Sequence, residues 1–138
     1  MTLSADPDLK QIFETCRTIA VVGCSPNPER AGNYVARYLQ ERGYRVIPVN
    51  PGHQTLLGER CYASLRDIPE PVDMIDCFRR SEFIPDIVED AIAIGAKVIW
   101  MQLGVIHKEA ALRAEAAGMK VVMNRCPIID YPRLFPSR

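Results

Sequence analysis

Histidine is nearly absent, with His53 and His107 the only two in 138 residues, so no imidazole cluster is available for a metal or a proton relay. Net charge is absent too: 17 basic and 17 acidic residues cancel, which removes the electrostatic footprint of a nucleic-acid or polyanion partner. No apolar run approaches the roughly 18 residues that cross a bilayer, so no membrane partner is expected. The five cysteines, Cys16, Cys24, Cys61, Cys77 and Cys126, are odd in number and lack CxxC spacing. That excludes a disulfide framework and a structural zinc site. Residues 1–10 carry Asp6 and Asp8 and no basic region followed by an apolar block, so they do not read as a signal peptide and the cytoplasm is the expected compartment.

What remains is the composition of a soluble globular protein, 48% hydrophobic and 25% charged, with a length suited to one domain spanning 1–138. Asp6 and Pro7 start a helix whose apolar face is Leu9, Ile12, Phe13 and Cys16, so residues 1–17 are expected to pack on the domain as an N-terminal helix. A buried strand, Ile19 to Val22, then runs into a loop and a helix carrying Val35, Tyr38 and Leu39, which stops at Gly43. Strand Arg45 to Val49, a turn-rich stretch from Asn50 to Gly58, and strand Met74 to Phe78 follow. The next helix shows Ile84, Ile87, Val88, Ala91 and Ile92 on one face. Strand Lys97 to Met101, a helix from Lys108 to Ala117 and strand Lys120 to Met123 complete the alternation.

Strands alternating with helices of this length specify a parallel sheet covered on both faces. The expected fold is therefore α/β: a Rossmann-like, doubly wound, parallel five-stranded sheet in the order 3-2-1-4-5. Ligands of such sheets sit outside the carboxyl ends of the strands, so the chemistry is sought in the loops after Val22, Val49, Phe78, Met101 and Met123.

Gly23 directly follows a buried strand, which lets the chain turn tightly and a phosphate approach the next helix. A dinucleotide fingerprint wants glycine again two and five residues on; Ser25 and Pro28 stand there, so the NAD crossing is not supported. The loop offers instead the Ser25 hydroxyl, stiffening prolines at Pro26 and Pro28, and Arg30 for phosphate oxygens. The second strand ends in Asn50 and Pro51, not in the carboxylate that would take a ribose hydroxyl. Phe78 beside Arg79 and Arg80 suits a purine face and a phosphate. Gln102 offers a polar edge, and Gly104 lets the chain pass closely.

Taken together, Gly23 to Pro26 with Arg30, Val49 to Pro51, Asp73 to Arg80, Trp100 to Gly104 and Asn124 to Pro127 resemble the small bacterial CoA-binding protein family. The resemblance runs from about Thr18 to Leu134. Family members are similar to the CoA-binding domain of the succinyl-CoA synthetase alpha subunit. This implies coenzyme A lying across the strand ends with its diphosphate at the first loop. The positions so implied are Gly23, Ser25, Pro26, Arg30, Asn50, Pro51, Phe78, Arg79, Gln102 and Gly104. Leu103 joins them within its motif, and Cys24 and Cys126 join them as thiols on the same loops. The synthetase's phosphohistidine segment has no counterpart, and no catalytic residue and no metal ligand are expected.

The leading expectation is thus a protein that binds coenzyme A or an acyl-CoA as a small-molecule ligand, and more a binding module than an enzyme. A CoA-dependent enzyme or thiol-exchange protein using Cys24 or Cys126 is the alternative, with Arg125 favouring the Cys126 thiolate if it points inward. An NAD-linked redox sensor is a further one. Self-association is left open.

Overall fold

The computed structural model describes residues Met1–Arg138. Its elements run α1 (Asp6–Thr15), β1 (Thr18–Val22), α2 (Ala31–Glu41), β2 (Arg45–Val49) and then a short antiparallel hairpin of β3 (Thr55–Leu56) and β4 (Glu59–Arg60). They continue with β5 (Met74–Cys77), α3 (Ile84–Ala93), β6 (Val98–Met101), α4 (Lys108–Ala116), β7 (Lys120–Val122) and α5 (Pro127–Leu134). The five long strands form one parallel sheet, β2-β1-β5-β6-β7. The α/β, Rossmann-like class expected from the sequence is therefore present. No helix is long and apolar enough to cross a membrane.

The strand order needs a correction. Counted along the long strands it is 2-1-3-4-5, not 3-2-1-4-5, because β5 pairs with β1 and not with the far side of β2. Pro48 accounts for this. On the outer edge of β2 the Tyr62 N–H donates to the Pro48 carbonyl at 3.1 Å, and the Asn50 N–H donates to the Tyr62 carbonyl at 2.9 Å. A strand residue's N–H and C=O point to the same side, so the donor that Pro48 lacks is missing from this edge. A full strand laid there would lose a ladder bond, which confines β2 to the rim. The order consequently reverses between β1 and β5, and that reversal sets where the ligand crevice opens.

Helices α1, α2 and α5 cover one face of the sheet, where Leu9, Ile12, Phe13, Val35 and Leu39 pack on Ile19, Val21, Met74 and Trp100. Helices α3 and α4 cover the other, with Ile84, Val88, Ala111 and Ala114 against Ala20, Ile75, Ile99 and Met101. Burial on both faces is why β5 and β6 are enclosed along their whole length. Helix α5 is one that the strand-helix alternation does not announce. Pro127 opens its first turn, but Pro132 inside it hides the helical pattern. The Tyr131 ring makes it indispensable: it meets Phe13 edge-on at 5.3 Å, Tyr38 at 6.1 Å, Tyr44 at 6.2 Å and Phe135 at 4.8 Å, joining α1, α2 and α5.

One residue in this interior opposes the pattern. Asp76 lies on β5 between Val21 and Trp100, fully buried, and neither carboxylate oxygen has a hydrogen-bond partner. Burial raises its carboxyl well above the ordinary value of 3.8, so the group keeps its proton. The folded chain then holds that proton more tightly than the unfolded chain. Its contribution to stability is present in full below 3.8 and is lost as pH rises toward the folded-state value. Asp76→Asn keeps the shape and needs no proton. It is expected to melt higher than wild type at about pH 7.5, with the gap closing toward about pH 4. Thermal melts across that range check this, and a variant less stable at the upper end contradicts it.

Candidate ligand-binding site

The first loop is held by contacts that only glycine permits. Gly23 has φ +84°, and a Cβ there would sit 2.6 Å from the Phe78 carbonyl oxygen. Gly32, in the first turn of α2, would place a Cβ 2.6 Å from the Gly23 carbonyl oxygen. Three backbone segments therefore touch where side chains would normally separate them. Side-chain amides then fix the loop: Asn33 Nδ2 donates to the Ser25 carbonyl at 2.8 Å, and Asn50 Nδ2 donates to the Cys24 carbonyl at 2.7 Å. Within the loop, Ser25 Oγ accepts from the Asn27 N–H and Asn27 Oδ1 from the Glu29 N–H.

This leaves the start of α2 open. Arg30 makes no side-chain cap, the first turn holds no acidic residue, and the Ala31 and Gly32 N–H groups have no acceptor within the chain. Free N–H groups with the positive end of an 11-residue helix behind them are a ready anion site.

A cleft of about 730 Å³ opens over this helix start. Gly23, Ser25, Arg30, Phe78, Arg79, Arg80, Gln102, Leu103, Gly104 and Cys126, all named from the sequence, line it together with Asn27, Ala31, Gly32, Tyr34 and Val105. A second cleft of about 290 Å³ lies on the β2 side and contains Asn50 and Pro51. The two share Gly23, Phe78 and Arg79, so a ligand passing over Gly23 reaches both. Cys24 and Pro26 line neither: Cys24 is fully buried beneath the loop and Pro26 faces outward. The Asn50 amide nitrogen is spent on the loop, which leaves its Oδ1 for a ligand.

The cations divide by role. Arg79 stacks 4.3 Å over the Phe83 ring and, like Arg30, has no carboxylate partner, whereas Arg80 pairs with Glu82 at 3.2 Å in solvent. The opposite wall is also braced. Asn124, itself at φ 60°, accepts the Gly104 N–H at 2.7 Å, and Ser81 Oγ accepts the Ile106 N–H at 2.9 Å. Trp100 is core, and its Nε1 donates to the Arg125 carbonyl at 2.8 Å. His107 caps α4 by accepting the Ala110 N–H.

The thiols are poorly placed for chemistry. Burial pushes Cys24 up to about 12 and also raises Cys126. Arg125, looked to for activating Cys126, instead forks onto Asp130 at 2.9 and 2.8 Å. No group of three potential ligands is arranged to hold a metal ion.

An open parallel sheet with a cleft across its carboxyl edge, at the reversal of strand order, defines the Rossmann-like class of α/β protein. Residues 17–132 match the model of the family described as the CoA binding domain, and the chain belongs to that family. The Bacillus subtilis (strain 168) protein called Uncharacterized protein YneT is 37% identical over 119 residues, 86% of this chain and 88% of that one. The solved structure of a hypothetical protein from Pyrococcus horikoshii OT3 superposes with a TM-score of 0.93 at 42% identity, covering 96% of this chain and 93% of that one. The ADP-forming acetate–CoA ligase I of Archaeoglobus fulgidus is 29% identical over 120 residues, 80% of this chain but 18% of the ligase. The likeness there is to one segment of a much longer enzyme.

Gly32 went unnoticed in the sequence although it follows Gly23 by one loop, and it supplies a direct test. Gly32→Ala gains about 1 kcal/mol of helix propensity. It also forces a methyl against a backbone oxygen, and overpacking typically costs about 1–3 kcal/mol. The variant is expected to melt below wild type. A melting temperature equal or higher would show that the helix start is not clamped to β1.

Proposed function

We propose that this chain binds coenzyme A, or a thioester of it, across the carboxyl ends of the sheet, and that it holds the ligand without transforming it. The observation that carries the reading is the uncapped start of α2, with the unpaired Arg30 and Arg79 facing the same cleft. The diphosphate belongs at the Ala31 and Gly32 N–H groups, with Ser25 and Arg30 on its oxygens. The nucleotide end extends toward Asn50 and Pro51, and the pantetheine arm runs past Phe78 toward Gln102, Leu103, Gly104 and Cys126. Family membership and the similarity to an acetate–CoA ligase support coenzyme A as the ligand class. NAD fits less well, since Ser25 and Pro28 replace the dinucleotide glycines and Asn50 replaces the ribose carboxylate.

Thermal melts with each ligand test this. Coenzyme A is expected to raise the melting temperature with concentration, contributing about 2.7 kcal/mol at a hundredfold excess over Kd, whereas NAD at equal concentration does not. Equal or larger stabilisation by NAD would overturn the assignment. Arg30→Ala is expected to weaken coenzyme A binding in low salt and much less at about 1 M salt, where the screening length falls to about 3 Å. Calorimetry showing no loss at low salt would remove Arg30 from the site.

A further inference from the structure

Among the arginines only Arg79 and Arg125 are half-buried, the others being exposed. Arg125 forks onto Asp130 at 2.9 and 2.8 Å. The Arg79 guanidinium forms no ion pair or hydrogen bond within the chain and stacks 4.3 Å over the Phe83 ring. Partial withdrawal from water costs a cation solvation, and at Arg79 no group of the chain offsets that cost. Stacking fixes the plane of the guanidinium and leaves its N–H edges free for a two-pronged bond to an anion.

The surroundings favour an anion as well. Acidic and basic residues balance over the whole chain, yet no carboxylate lines either cleft, while Arg30, Arg79 and Arg80 do. Arg80 is engaged by Glu82, and Arg30 stands at the start of α2 with the free Ala31 and Gly32 N–H groups. Arg79 lies elsewhere. A Cβ at Gly23 would come within 3.2 Å of Arg79 Cδ, so the arm of Arg79 runs over that glycine, where the two clefts meet, and it lines both of them.

A ligand with its diphosphate at the start of α2 and its base toward Asn50 and Pro51 carries its ribose across this meeting point. Coenzyme A bears a second anionic group there, the phosphate on the 3′ carbon of the ribose. We infer that Arg79 holds this 3′-phosphate, and that the contact makes the chain select coenzyme A over ligands that have the diphosphate alone. This rests on the coenzyme A reading of the site and names the residue that sets its specificity at the nucleotide end.

Calorimetric titration of coenzyme A and of dephospho-CoA, which lacks only the 3′-phosphate, tests the inference in wild type, Arg79→Gln and Arg30→Ala. Hydrogen bonds to a charged group are worth about tenfold in affinity or more, so wild type is expected to bind coenzyme A at least about tenfold tighter than dephospho-CoA. Arg79→Gln is expected to close most of that gap. Arg30→Ala, acting at the diphosphate, is expected to weaken both ligands and keep the gap. Wild type binding the two ligands equally, or a gap retained in Arg79→Gln, overturns the inference and leaves the coenzyme A site standing. Equal losses for both ligands in Arg79→Gln would assign Arg79 to the diphosphate and overturn it too. Failure of both ligands to bind wild type overturns the coenzyme A reading and the inference together.

Discussion

The site depends on the contact between Gly32 and the Gly23 carbonyl oxygen. It brings the first turn of α2 against the end of β1 so closely that no side chain fits between them, and it aims two free N–H groups over the sheet edge. Four polar side chains nearby serve to keep that geometry. Asn33 and Asn50 hold the loop carbonyls from two sides, and Asn124 and Ser81 hold the facing wall. The entropy of ordering these loops is thus met by the fold, so a ligand need not supply it on binding.

The same economy explains the absence of evident catalytic groups. A nucleophilic thiol needs a stabilised thiolate, and here burial opposes it at Cys24 and Cys126 while Arg125 is occupied by Asp130. Asp76 is an acid kept neutral inside the sheet layer and borders neither cleft. Hydrogen-bonding capacity around the cleft is largely spent on positioning backbone.

Much of this architecture is legible in the chain. Buried runs such as Ile19 to Val22 and Met74 to Cys77 locate the strands, and the loops that follow them hold most of the cleft. What escapes has identifiable causes. The strand order turns on which way the single missing donor of Pro48 faces, a fact of geometry that composition does not carry. The hairpin strands are two residues long, too short for any period. Helix α5 is masked by Pro132, and Cys24 sits in the right loop but turns into the core while its neighbours Gly23 and Ser25 face the cleft. Gly32 reads as an ordinary weak helix former until the carbonyl beneath it is seen.

The most direct test of the account is a crystal structure of the chain grown with coenzyme A. The expected result places the diphosphate oxygens within hydrogen-bond distance of the Ala31 and Gly32 N–H groups, with the nucleotide toward Asn50 and the pantetheine arm toward Gln102. A diphosphate bound anywhere else, or a ligand running in the opposite direction across Gly23, would contradict it.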